Sequence, residues 1–354
     1  MPAAAEPAQR PVVFADLFSG IGGFHLGIRR ALTGARARCA VTCEIDEGAR
    51  RVYAANLLTD GADAATTVAT DIRELSGAPY RGRLDLVCGG FPCQSYSSLG
   101  LRKGMRDQRG RLFNDLARFI GESEPRAFLL ENVAGLLTAQ KGAAFKKVSE
   151  TLAGLGYAVS HGVLDSQHFG LPQHRKRVYI VGRRVGNGAA PFDFAPLLAK
   201  AARNAERRPV VLRDILDPGP PSADLDCDIF APGDIFAEPV RTRTGFVLRA
   251  KLSNFTNRKL FSTDGICGTI TTGSPPPIYD ERYKKARHLS ARELKRAQGF
   301  PAGYRFAPGA GRDGPAGAAR AAVSRSEVVH YVGNAVSVNV IAAIVGEMER
   351  QGLL

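Results

Sequence analysis

The 354-residue chain is sparing with cysteine. Its six cysteines, at positions 39, 43, 88, 93, 227 and 267, form no C-x-x-C pair and no Cys/His cluster at zinc spacing. Neither a disulfide framework nor a metal site is implied, and reduced, cytosolic thiols fit best. No run approaches the length needed to cross a bilayer, and the Ala- and Pro-rich opening, Met1 to Arg10, lacks the apolar centre of a signal peptide. That opening reads as a short tail on a soluble protein. Acidic residues are scarce as well, 34 against 48 basic, which leaves a net charge of +14 and a pI of about 9.8. Such a surplus suits a polyanionic partner, nucleic acid first. A dinucleotide fingerprint is also missing, because Gly20 and Gly22 are followed by His25 where its third glycine belongs. An NAD site is therefore disfavoured. With 44% hydrophobic residues the chain still has material for a large domain and a smaller one. Its Ala-, Arg- and Gly-rich composition suggests a GC-rich bacterial genome or a phage of one.

The most informative stretch is Gly89-Gly90-Phe91-Pro92-Cys93-Gln94-Ser95-Tyr96-Ser97, after the buried-strand run Leu84–Cys88. Two glycines permit a sharp turn or a close approach, and Pro92 stiffens the backbone, so the loop displays Cys93 as a thiolate candidate. Taken alone, a cysteine after a proline is more often an inert small residue. Upstream, Val12–Phe18, a glycine break over 19–23 and helical spacing from Phe24 to Leu32 read as strand, turn and helix. In an open α/β sheet such a turn places a nucleotide-like ligand against backbone amides. A second strand, Cys39 to Cys43, ends in Glu44-Ile45-Asp46, and a third, around Thr66 to Thr70, ends in Asp71-Ile72. Three polar strand ends in register suggest a cofactor crevice.

After Cys93, Leu99 to Arg111 is basic and reads as a loop able to close on phosphates, followed by a helix from Leu112 to Ile120. Ala127–Leu130 is a strand stopping at Glu131-Asn132-Val133, which would share the rim with Cys93. Further on, Gln173, Arg175 and Arg177 alternate ahead of an apolar run, so they project to one face of an extended backbone. Asp217 to Glu238 is acidic and Pro-rich, and its Asp224-x-Asp226-x-Asp228 fails as a calcium loop because Ile229 stands where glycine is required. From Arg241 to Arg296 there are 13 basic and 4 acidic residues, which marks a DNA face.

Together these pieces, in this order, resemble the DNA cytosine-5 methyltransferases of bacterial type over most of the chain. The resemblance implies an α/β fold, a Rossmann-like S-adenosylmethionine-dependent methyltransferase sheet with a second, smaller target recognition domain. The catalytic domain would be discontinuous, 11–184 and 320–354, with recognition domain and hinge over 185–319. It implies a cofactor site at Phe18, Ser19, Gly20, Gly22 and Gly23, with Glu44 on the ribose, Ile45, Asp71 and Ile72 around the adenine, and Pro92, Asn334 and Val336 completing the pocket. Pro92-Cys93-Gln94 is similar to the nucleophile motif and Glu131-Asn132-Val133 to the acid motif. Gln173-x-Arg175-x-Arg177 is similar to the motif supporting the flipped base, and Arg175 would meet its carbonyl oxygen. The Thr269-Ile270 pair resembles one in the recognition domain. The catalytic set is then Cys93, Glu131, Arg175 and Arg177, and the DNA contacts Gln94, Ser97, Arg109, Gln173, Arg258, Thr269 and Ile270, with no metal. Asp165-Ser166 stands where Asn-Ala is common, a change expected to leave the chemistry alone.

The partner implied is double-stranded DNA, with a cognate restriction endonuclease acting separately, and the protein is expected to be a cytoplasmic monomer without a membrane role. Two rivals remain. An RNA methyltransferase of this fold would carry Cys-Phe-Thr, whereas Asn254-Phe255-Thr256 lacks the cysteine, and a non-catalytic module would have lost Cys93 or Glu131.

Overall fold

The computed structural model describes residues 10–32, 36–59, 63–92, 108–186, 190–227, 229–253, 258–306 and 323–354, with side chains from 112 onward in the segment that begins at 108. Cys93, Gln94, Ser97, the side chain of Arg109, the loop over 99–107, the Asn254-Phe255-Thr256 stretch and the linker over 307–322 lie outside the described residues.

Apolar runs without alternation are what a sheet covered on both faces requires. β1 (Val12–Leu17) is buried along its whole length and lies between β2 (Ala37–Cys43) and β4 (Leu86–Gly90), both parallel to it. With β3 (Thr67–Ala69), β5 (Ala127–Val133), β6 (Tyr157–Asp165) and β7 (Lys176–Arg184) the sheet has seven strands in the order β3-β2-β1-β4-β5-β7-β6. β7 runs antiparallel to both β5 and β6. Successive residues of β1 feed opposite cores. Val12 and Phe14 join the layer under α1 (Gly23–Ala31), α5 (Ala195–Ala205) and α8 (Val338–Arg350), while Val13, Ala15 and Leu17 join that under α3 (Gln108–Ser123) and α4 (Ala143–Gly154). α2 (Glu47–Leu57) follows β2 and is capped by Asp46, which accepts from Ala49 N.

A second sheet of five strands has the order β12-β11-β10-β9-β8, made of β8 (Val240–Arg241), β9 (Val247–Lys251), β10 (Lys259–Ser262), β11 (Ile278–Asp280) and β12 (Lys285–Arg287). α6 (Ala291–Ala297) and α7 (Arg325–Asn334) share a core with it and with Ile21 and Val52 of the first unit.

Several expectations shift. The pair Gly89-Gly90 ends β4 instead of turning the chain, and neither has a positive φ. Close packing explains Gly89, because a Cβ there would lie 2.8 Å from Leu17 O. The helix after the basic segment begins earlier than expected, at Gln108. Residues 190–205, expected in the recognition region, pack on the first sheet through Phe192, Phe194 and Leu197. Contrary to the expectation that no run could span a bilayer, Arg325–Arg350 is long and apolar enough by composition. The chain breaks between α7 and α8, however, and 72% of its most apolar window is buried. The apolar residues of α8 face α1 and the first sheet, and those of α7 join the core shared with α6 and the second sheet.

Candidate active site

The turn after β1, where the cofactor is expected, takes an uncommon backbone conformation. Phe18, Gly20 and Gly22 all have positive φ, at 53°, 52° and 85°. A non-glycine residue held so costs on the order of 1–3 kcal/mol and persists only where its surroundings impose it. Here Ser19 N donates to Cys43 O at 3.0 Å and Gly20 N to Glu44 Oε2 at 2.8 Å, which pins the turn to the end of β2. Gly22 and Gly23 have no room for a side chain. A Cβ would lie 2.2 Å from Leu57 at the first and 2.8 Å from Val336 Cγ2 at the second. The closing segment therefore packs on the turn through Val336, while Asn334 at the end of α7 is exposed.

Around the turn lie the other expected cofactor residues. Ile45 is 69% exposed, an unusual position for an isoleucine and one suited to an apolar ring. Asp71 is held by Arg73, whose hydrogen bonds keep its carboxyl below the usual range, while the Ile72 side chain belongs to the core. Two residues before Phe18, Asp16 is fully buried and burial pushes its carboxyl well above the ordinary value. Its Oδ2 has no partner among the described residues. Sequence reading missed Asp16, because a carboxylate inside a strand run looks like an interruption of the core.

Two strands along, Gly90 of β4 is paired with Glu131 of β5, so the segment leading to Pro92 and Cys93 starts beside that carboxylate. A Cβ at Gly90 would lie 3.4 Å from Glu131 Oε2, so the glycine leaves the acid free space. Glu131 is 8% exposed and its Oε1 lies 3.1 Å from Arg177 Nε. The pair is close without being aligned as a hydrogen bond, which leaves Oε1 unsatisfied and able to meet another group. Asn132 Nδ2 donates to Phe91 O at 3.0 Å and ties β5 to the start of the Pro92 loop.

The Gln-x-Arg-x-Arg run is used differently from the expectation. Arg175 is 3% exposed and donates to Ile270 O, Gly333 O and Ala335 O at 2.9–3.0 Å. Those bonds engage both terminal nitrogens, and it is Arg177 and not Arg175 that is ion-paired with Glu131. Gln173, expected on DNA, is fully buried; it donates to Gln298 Oε1 and Ala297 O and accepts from Ile270 N. Ile270, also expected on DNA, is buried in the shared core. Both are corrected to packing positions, since a side chain with no exposed surface presents nothing to a duplex. Thr269 Oγ1 donates to His174 O and is half-buried. Asp165 braces the same run, with its Oδ2 2.6 Å from His174 Nδ1 and its Oδ1 accepting from Arg175 N.

The basic excess of 241–296 is partly neutralised by ion pairs. Arg287 is 1% exposed between Asp280 and Glu293, Arg282 pairs with Asp280, Arg249 with Glu281, Lys285 with Asp226 and Arg296 with Asp217. Arg241, Arg243, Lys251 and Arg258 are exposed with no carboxylate partner among the described residues. Arg241 and Arg243 lie at the β8–β9 turn, and Lys251 and Arg258 at the opposite end of β9, next to β10.

A parallel-centred sheet with a glycine turn after its first strand and carboxylates at the ends of β2 and β5 fits the Rossmann-like methyltransferase class. Residues 12–350 match the family model of the C-5 cytosine-specific DNA methylases. The chain belongs to that family and is a DNA cytosine-5 methyltransferase, a protein that acts on DNA with a methyl donor. It is similar to the type II methyltransferase M.BsuFI of Bacillus subtilis, 29% identical over 97% of this chain and 74% of that protein. Likewise it is 30% identical to M.NlaX of Neisseria lactamica, over 94% of this chain and 95% of the relative. Among solved structures, the Dnmt2 methyltransferase of S. pombe superposes with a TM-score of 0.69 over 96% of this chain and 99% of that one, at 19% identity, a likeness of fold.

Proposed function

We propose that the chain methylates carbon 5 of a cytosine flipped out of a specific duplex sequence, through a covalent adduct on Cys93, with S-adenosylmethionine as donor. The observation that carries this is the Glu131 carboxylate, unsatisfied at Oε1, braced by Arg177 and adjacent to the strand that leads into Cys93. The residues at the turn fit that donor. Gly20, Gly22 and Gly23 bring the backbone close, Glu44 retains lone pairs for a diol, Ile45 offers an apolar face, and Asp16 supplies a buried polar oxygen without a partner among the described residues. When bound, the donor supplies an electrophilic methyl group.

Carbon 5 of cytosine is a weak nucleophile, and a thiolate at carbon 6 corrects this. The Cys93 sulfur bonds to carbon 6, and the electron pair of the carbon 5–carbon 6 bond becomes available at carbon 5. Glu131 holds a proton on the ring nitrogen and accepts from the exocyclic amine, which offsets the charge entering the ring. Arg177 fixes that carboxylate. Once carbon 5 carries the methyl group, loss of its proton restores the double bond and expels the thiolate. A free thiol of pKa roughly 8.5 is only a few per cent thiolate at neutral pH, so nearby positive charge at the loop is needed. Flipping the base costs a few kcal/mol, recovered from phosphate contacts by Arg241, Arg243, Lys251 and Arg258. The catalytic unit is 11–205 with 320–354, and recognition lies between them, where the second sheet stands. The protein acts as a cytoplasmic monomer, beside a separate endonuclease if it serves restriction.

Trapping tests the scheme, because fluorine cannot leave carbon 5 as a cation. A duplex with 5-fluorocytosine at the target should be methylated once and stay joined to the protein under denaturing conditions. The adduct should require S-adenosylmethionine and vanish in Cys93→Ser, which should still shift DNA in a gel at matched salt. Adducts formed in preference on fluorinated RNA would support the RNA enzyme instead, and absence of any adduct would remove Cys93 from its role.

A further inference from the structure

At the amino edge of the first sheet, opposite the rim that holds Glu131, the structure has two adjoining hollows. One, of about 240 Å³, is lined by Arg38 and Arg83 over a floor that includes Val13, Ala40 and Tyr80. The other, of about 470 Å³, is lined by Arg10, Arg83, Arg126, Arg183 and Arg184, together with Asp85 and Glu124. Arg83 belongs to both, so the hollows form one concave strip. Its position follows from topology. Arg38 lies at the start of β2, Asp85 and Arg126 immediately precede β4 and β5, and Arg183 and Arg184 end the antiparallel β7.

The strip carries six guanidinium groups against two carboxylates, and both carboxylates are already committed. Asp85 meets Arg10 at 2.6 Å and Arg126 at 3.4 Å, while Glu124 meets Arg81 at 3.0 Å and also Arg184. No carboxylate among the described residues meets Arg38 or Arg83, and Arg83 is exposed. From β3 to β7 the edge crosses five strand spacings, about 24 Å at roughly 4.8 Å each. That is too long for one small anion and matches a run of phosphates along a duplex. β1, at roughly 3.3 Å per residue, sets this edge on the order of 20 Å from the catalytic rim, so a duplex held at Glu131 cannot also lie here.

We infer that this strip is a second binding surface for the phosphate backbone of double-stranded DNA, separate from the catalytic cleft. It gives the enzyme a hold on a neighbouring stretch of a long substrate while the first is being read. This rests on DNA as the substrate and not on the catalytic roles of Cys93 or Glu131.

Sedimentation of the full chain with a labelled 16-base-pair duplex at low salt tests it. The wild type should take up two duplexes per chain. In Arg38→Gln/Arg83→Gln the second should weaken by about 10-fold or more, with its salt slope reduced by about 2, close to ~0.9 for each lost phosphate contact. Methyl transfer to the same short duplex should stay within about twofold of wild type, which also shows that the variant folds. Saturation of the wild type at one duplex would overturn the inference without touching the methyltransferase reading. So would two equally strong duplexes on the folded double variant, or a second position that prefers an RNA duplex.

Discussion

Arg175 and Arg177 stand two residues apart on one extended segment, yet only one of them stands at the Glu131 carboxylate. Alternation puts both on the protein side of the backbone, and what lies opposite decides the rest. Arg175 meets three carbonyl oxygens, and Arg177 meets Glu131. Their variants should therefore fail differently. Glu131→Gln should slow trapping on a fluorinated duplex by ~100-fold or more, the usual size of a general-acid contribution, with donor affinity almost unchanged. Arg177→Ala should lower the same rate while the melting temperature holds. Arg175→Met should instead lower the melting temperature, because it orphans buried carbonyls at a cost of about 1–3 kcal/mol each. An unchanged trapping rate in Glu131→Gln would assign ring activation to another group.

The second sheet is held by a buried charge cluster as well as by apolar packing. Arg287, on β12, lies between Asp280 of β11 and Glu293 of α6, at 2.7–3.0 Å. Burial alone would push the Asp280 carboxyl up, but hydrogen bonds from Arg282 and Arg287 outweigh it and leave the group below the usual range. A carboxyl depressed in the folded state contributes stability that is complete above its unfolded pKa, roughly 3.9, and is lost as pH falls through the folded value. Heating scans between pH 6 and pH 3 should show the melting temperature dropping at the acid end, and Asp280→Asn should flatten that drop. The same substitution at pH 7 should destabilise by about 3 kcal/mol, since it leaves a buried guanidinium half-paired. Equal acid sensitivity in the variant would place the loss elsewhere.

Across the whole molecule, the joint between the units combines a shared apolar core with specific polar contacts. Gln173 and Arg175 reach from the first unit to Ile270, to Gln298 and to the segment before α8, and a Cβ at Gly333 would lie 2.5 Å from the Thr271 backbone. A graft must keep that joint. Exchanging residues 206–265 for those of a relative, with 266–272 retained, should redirect the methylated sequence while the product stays 5-methylcytosine, read by mapping methylation in DNA from expressing cells. An active chimaera that keeps the original site would move specificity out of this span.

Linear order alone determined the family, the order of strand, glycine turn and acid, and the identity of Cys93, Glu131 and the cofactor turn as candidates. These are local matters, because a motif is a run of residues whose chemistry shows in the run. What only the tertiary structure decided is where alternating side chains end up. Gln173 and Ile270 look like reading residues in sequence and are core, and six of the 13 basic residues from Arg241 to Arg296 turn out to be paired with carboxylates. Asp16 looks like a break in a strand and is a buried carboxyl two residues before the turn after β1. A residue's type sets which partners it can accept, but burial and charge pairing depend on neighbours tens to hundreds of residues away, and only the packed chain brings those together.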